Sequence, residues 1–138
     1  LKRSQNRDMT PSAGKKRMTV VLIIDDSPTE LHLFQGMLER GGFDTIVADS
    51  GEEGIRAAQT SRPDCILMDV VMPGMNGFQA TRQLTRDPKT SSIPVIMITT
   101  KDQETDKIWG MRQGAVEYLV KPVTEKELLG KINSVMAD

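Results

Sequence analysis

Cys65-Ile66-Leu67-Met68-Asp69 decides how the chain folds, because four consecutive apolar residues closed by a carboxylate read as a strand buried on both faces. Outward from it, Val20-Val-Leu-Ile-Ile24 is a second such run and ends in Asp25 and Asp26. Pro94-Val-Ile-Met-Ile98 ends in Thr99, and Glu117-Tyr-Leu-Val120 ends in Lys121-Pro122. Thr45-Ile-Val-Ala48 completes a set of five strands. Helical segments lie between them. Ser27-Pro-Thr-Glu30 opens one as a capping box, and Leu31, Phe34, Met37 and Leu38 give it a single apolar face up to Gly41-Gly42. Ser50-Gly-Glu-Glu53 and Thr124-Glu-Lys-Glu127 are two further capping boxes, and Leu128, Ile132 and Val135 form the inward face of the last helix. A helix from Gly77 to Arg86 follows the turn-rich loop after Asp69, and another runs from near Asp102 to near Gly114. Strands alternating with helices predict an α/β fold, a five-stranded parallel sheet with helices on both faces and right-handed crossovers.

The chain of 138 residues is long enough for one domain with a sizeable core. Its 18 Lys+Arg and 19 Asp+Glu give a net charge of −1, which exerts no overall pull toward nucleic acid or an anionic membrane. The charge is unevenly spread. Residues 1–17 carry six cations and only Asp8 as an anion, net +5, so the remainder stands at −6. Residues 1–17 therefore read as a basic, disordered N-terminal extension, either a solvated tail or a functional arm, and residues 18–138 as the folded domain. The extension lacks the apolar core of a secretory signal, and no segment approaches the roughly 18 apolar residues of a membrane span. Cys65 is the only cysteine, which excludes an intrachain disulfide. Together these features predict a soluble, cytoplasmic protein with no membrane insertion and no nucleic-acid partner.

Chemistry in an open parallel sheet collects at the carboxyl ends of the strands, so Asp25, Asp26, Asp69, Thr99 and Lys121 are expected at one edge. Carboxylates a few ångströms apart raise one another's pKa, and a divalent cation removes the conflict. The set offers oxygen ligands and no His or Cys grouping, which favours Mg²⁺, with Mn²⁺ the alternative, over zinc. Asp69 can then attack phosphorus, the metal and Lys121 can neutralise the equatorial oxygens, and the Thr99 hydroxyl can bond one of them. Taken singly, a strand-end Asp is an ordinary turn former and Lys-Pro a common dipeptide. Their joint occurrence points to a phosphoryl site. A haloacid-dehalogenase-type phosphatase needs a second carboxylate two residues after its nucleophile, where Val71 stands. A nucleotide-binding module needs a glycine-rich loop after the first strand, where Asp25-Asp-Ser-Pro28 stands.

Asp25-Asp26, Asp69 followed by Met72-Pro73 and Gly77, Thr99, and Lys121-Pro122 resemble the receiver domain of bacterial two-component response regulators, from about Thr19 to Met136. The resemblance implies the flavodoxin-like (βα)5 fold and a histidine kinase of chemosensory type as phosphoryl donor. It implies Asp69 as phosphoacceptor, Asp26 as a direct metal ligand, Asp25 acting on the metal through water, and Val71 giving a backbone carbonyl. Thr99 would be the switch hydroxyl, Tyr118 the switch aromatic and Lys121 the phosphate partner. Such a receiver phosphorylates and dephosphorylates itself and is not a turnover enzyme. More narrowly, Asp25-Asp-Ser-Pro-Thr-Glu30, Gly77-Phe-Gln-Ala-Thr-Arg82 and Thr99-Thr-Lys-Asp-Gln-Glu-Thr-Asp-Lys107 look like PilH-type regulators, which implies control of type IV pilus twitching motility. Two departures stand out: Thr100, where many receivers carry a smaller residue, narrows access to the site, and apolar Val71 argues against rapid self-hydrolysis. With the last helix followed only by the end of the chain, output is expected through a downstream motility protein or by draining phosphate from a shared kinase. A docking module of another signalling pathway is the alternative.

His32, the only histidine, is expected at the surface. Most methionines read as core, with Met75 at the rim of the site. If Ile108, Met111 and Ala115 face inward, Trp109 lies off their stripe, as a partner anchor or an ordinary surface residue.

Overall fold

The computed structural model describes residues 19–137. The basic extension and Met18 lie outside the described residues. The elements are β1 (Val20–Ile24), α1 (Pro28–Arg40), β2 (Asp44–Ala48), α2 (Gly51–Ser61), β3 (Cys65–Met68), α3 (Gly77–Arg86), β4 (Val95–Thr99), α4 (Glu104–Arg112), β5 (Glu117–Val120) and α5 (Glu125–Met136). Every pairing is parallel, and the sheet order is β2-β1-β3-β4-β5.

Continuous apolar runs arise because both faces of the sheet are covered. Successive side chains of a strand point to opposite faces. Val21, Ile23, Cys65, Leu67, Ile96 and Ile98 therefore meet Phe34, Met37 and Leu38 of α1 and Leu128 and Ile132 of α5. On the other face Leu22, Ile24, Ile66, Met68, Val95 and Met97 pack with Ala58 of α2 and with Ala80 and Leu84 of α3. Cys65 is fully buried, and burial pushes its thiol pKa up to about 12, so it is a packing residue and not a nucleophile.

Local chemistry departs from expectation in four places. Thr124 and Glu127 form the reciprocal capping box. At α1, Ser27 Oγ accepts from Glu30 N as expected, but the Ser27 N–H donates to Asp25 Oδ1 at 2.9 Å and the Glu30 carboxylate turns to Lys121 instead. At α2, Ser50 Oγ accepts from Glu53 N while the Glu53 carboxylate pairs with Arg56. An unanticipated box joins Asn76 and Gln79 at the start of α3. The fourth departure is α4. An inward stripe of Ile108, Met111 and Ala115 is the condition under which Trp109 lies off the packed face, yet Ile108 and Met111 are 45 % and 46 % exposed, and only Ala115 is buried. The buried residue of α4 is Gly110, which lies against Met97 and the Tyr118 ring. Close backbone approach replaces an apolar stripe.

Truncating a core side chain on either face should cost about 2 to 5 kcal/mol, because the cavity cannot collapse fully. Leu38→Ala on one face and Leu84→Ala on the other are expected to fall in that range in urea unfolding. Exposed His32→Ala should stay within about 0.5 kcal/mol.

Candidate functional site

The chain leaves β1 toward β2 and then returns to place β3 on the other side of β1, which opens a crevice at the carboxyl ends of β1 and β3. The parallel register sets Ile24 opposite Met68, so Asp25 and Asp69 emerge side by side. Backbone bonds hold them there: Asp69 N donates to Ile24 O at 3.0 Å and Asp25 N to Ala48 O at 3.1 Å. Asp25, Asp26 and Asp69 can each present a carboxylate oxygen such that all lie within 4.8 Å of one another. Asp25 and Asp69 are buried, and Asp26 is exposed at the rim.

The neighbours fix this geometry. Asp69 Oδ1 accepts from Val70 N at 2.8 Å. The start of α3 presses so closely on β3 that a Cβ at Gly77 would stand 2.1 Å from the Asp69 carbonyl oxygen, so only glycine fits. Lys121 Nζ sits 3.0 Å from Asp25 Oδ2, 3.0 Å from Glu30 Oε1 and 3.7 Å from Asp69 Oδ2. The Phe34 ring lies beside it, with its centroid 5.8 Å from the ammonium. Burial, then the charge of Asp25, raises the Asp69 carboxyl above the usual carboxylate range, against the pull of Lys121 and the backbone N–H groups. Burial alone would lower Lys121, but hydrogen bonds to Asp25 and Glu30 and the charge of Asp69 hold it above its ordinary value. One firmly protonated ammonium thus faces a crowded carboxylate set. Oxygen donors alone, close together and under repulsion, suit a hard divalent cation.

Thr99 is fully buried at the end of β4, where its Oγ accepts from Lys101 N at 3.3 Å. It is paired with Val120, the residue before Lys121. Tyr118 donates its hydroxyl to Lys101 O at 2.8 Å. Burial and the nearby Asp106, Asp102 and Asp69 push its phenol up to about 12. Its ring abuts α4 so tightly that a Cβ at Gly110 would stand 3.0 Å from the ring and 2.7 Å from Met97 Sδ. Trp109 is 46 % exposed beside Ile108 and Met111. The Val71 side chain is exposed in the loop after β3. Thr100 is also exposed and lines a cleft of about 430 Å³ with Glu30, Leu33, Phe34, Lys121 and Pro122. Met75 packs over Gly51 at the start of α2. Sequence reasoning missed the approach of Glu30, expected in a cap, to Lys121; Phe34 is in the core as expected, and its ring also borders Lys121. Their place in the first two turns after Asp25-Asp26 was the available signal.

A carboxyl whose folded pKa is raised favours folding in its protonated form, and that contribution is lost as pH rises through the folded pKa. In metal-free buffer Asp69→Asn should therefore stabilise the protein at pH 7. The gain should fade as pH drops toward about 4, the ordinary carboxylate range. Urea unfolding of both proteins across that interval checks the sign.

Residues 21–133 match the response regulator receiver domain family. The chain is 58 % identical over 120 residues to Protein PilH of Pseudomonas aeruginosa, covering 87 % of this chain and 99 % of that protein. Chemotaxis protein CheY4 of Vibrio cholerae superposes with a TM-score of 0.82 at 32 % identity, over 86 % of this chain and 99 % of that one. The receiver domain of sensor histidine kinase PA1611 from Pseudomonas aeruginosa, solved with a magnesium ion coordinated in its active-site cleft, gives 0.82 at 25 % identity, over 88 % and 100 %. The strand order and strand-end carboxylates therefore sit in a familiar setting: the chain belongs to the response regulator receiver family, the signalling switches of two-component pathways.

Proposed function

We propose that this chain is a phosphorylation-controlled switch in which Asp69 accepts a phosphoryl group from a histidine kinase of chemosensory type, in a Mg²⁺-dependent reaction, to regulate type IV pilus twitching motility. The observation that carries the chemistry is the carboxylate trio within 4.8 Å, beside an ammonium 3.7 Å from Asp69. An Asp69 carboxylate oxygen attacks the phosphorus of a phosphohistidine. The O–P bond forms as the P–N bond breaks, and the imidazole nitrogen keeps the electron pair and takes up a proton. Lys121 meets the charge that develops on the phosphoryl oxygens, and the Thr99 hydroxyl bonds one of them. Asp26, Asp69 and the Val71 carbonyl would hold the metal, with Asp25 acting through water, and Mn²⁺ could substitute. When bound, the cation would offset the carboxylate repulsion and neutralise the transferring group. Val71 offers no polar side chain to orient an attacking water, so the acyl phosphate is lost slowly.

Phosphorylation draws Thr99 toward the new oxygens, and Tyr118 follows, repacking against Gly110 and shifting α4. Trp109 is then part of the surface that a downstream motility protein reads. The identity with PilH across nearly all of that protein supports the pathway. We place its action in the cytoplasm; separately, no helix among the described residues is long and apolar enough to cross a membrane.

Intact-mass measurement with acetyl phosphate tests the chemistry. The wild type should gain one phosphoryl group in Mg²⁺ and none in excess chelator, and Asp69→Asn should gain none. Labelling that survives in the variant or in chelator would count against Asp69 as acceptor.

A further inference from the structure

Glu30 stands in the first turn of α1, where a carboxylate ordinarily serves the helix N-terminus. Here that service is already rendered by Asp25, whose Oδ1 accepts the Ser27 N–H. The Glu30 carboxylate instead lies 3.0 Å from Lys121 Nζ, as near as Asp25 and nearer than Asp69 at 3.7 Å. The side chains of Lys121 and Glu30 are 13 % and 29 % exposed, so solvent only partly screens the pair. Glu30 is not one of the three residues grouped for a cation. When Asp25 turns its charge to a metal, Glu30 remains as the counter-ion that belongs to the lysine alone. A phosphoryl group on Asp69 would add negative charge beside that same ammonium.

We infer that Glu30 is a positioning residue that competes with the phosphoryl group for the Lys121 ammonium, and so weakens the phosphorylated state relative to the resting one. The inference rests on Asp69 being the phosphoacceptor. An equilibrium shifts only through contacts that differ between its two states. The Glu30–Lys121 pair is such a contact: full strength at rest, diluted once the ammonium turns to the phosphoryl oxygens. Removing the Glu30 charge should therefore release the lysine to its anionic partner.

Beryllofluoride, which adds to a carboxylate as a phosphoryl mimic, provides the probe. Its affinity is measured by fluorine NMR at saturating Mg²⁺ for wild type, Glu30→Gln and Glu30→Ala, after thermal unfolding shows each variant to be folded. Both variants should bind the mimic about fivefold more tightly or better, the lower end of ordinary coupling between sites. Their Mg²⁺ affinity, titrated without beryllofluoride, should stay level or fall, since a nearby negative charge has gone. A packing defect would not move anion and cation affinity in opposite directions. In a Lys121→Met background the same change at position 30 should lose its effect. Unchanged or weaker beryllofluoride binding by Glu30→Gln would overturn the inference, as would an equal gain without the lysine. If wild type takes no beryllofluoride, or Asp69→Asn takes as much, the assignment of Asp69 fails and this inference with it. Failure confined to position 30 leaves Asp69 standing.

Discussion

Electrostatic crowding at one edge of the sheet is the constraint on which the rest depends. Three carboxylates stand within 4.8 Å, two of them buried, and burial together with the charge of Asp25 raises the Asp69 carboxyl above the usual carboxylate range. Lys121 supplies one charge and divides it among Asp25, Glu30 and, more distantly, Asp69. In the function proposed, the remaining imbalance is what would give the site affinity for a cation and then, through that cation, for an anion. A core of apolar side chains on both faces of the sheet provides the rigidity that keeps the carboxylates from moving apart.

Position follows from topology more than from any single side chain. The register that pairs Ile24 with Met68 delivers Asp25 and Asp69 together, and the register that pairs Thr99 with Val120 sets the hydroxyl beside the strand leading to Lys121. A slip of one residue in either pairing would turn a functional group into the core. The same sheet connects the site to its surface. Tyr118 lies on β5 two residues before Val120, and its ring touches α4 where Gly110 leaves no side chain to hold them apart. That contact is the route by which the proposed displacement at the strand ends would reach a helix on which Ile108, Trp109 and Met111 are exposed.

Most of the fold was legible because buried strands write themselves as unbroken apolar runs: Val20–Ile24 and Cys65–Met68 needed no neighbour to be recognised. The strand-end residues were legible for the same reason, since a polar residue that closes such a run lies at the edge. The stripe on α4 was misread. Helical periodicity assumes contact through side chains, and α4 makes its contact through the backbone at Gly110, leaving Ile108 and Met111 outside. The role of Glu30 was illegible because the spacing Ser27-x-x-Glu30 matches a capping box, and only the three-dimensional approach of Lys121 shows the carboxylate taken elsewhere. Local signals name the interactions a residue can make. Long-range geometry chooses among them.

The claim that charge crowding creates the cation site is tested most directly by thermal unfolding of the wild type and of Asp26→Asn over a Mg²⁺ titration, with no phosphoryl donor present. A cation that binds the folded state alone stabilises it by an amount that grows with the logarithm of one plus the ratio of its concentration to its dissociation constant, about 2.7 kcal/mol at a hundredfold excess. The wild type should show a rise of this logarithmic form, and Asp26→Asn should need a much higher Mg²⁺ concentration for the same rise. Equal responses from the two proteins, or none from the wild type, would contradict the assignment of the carboxylates to a divalent cation.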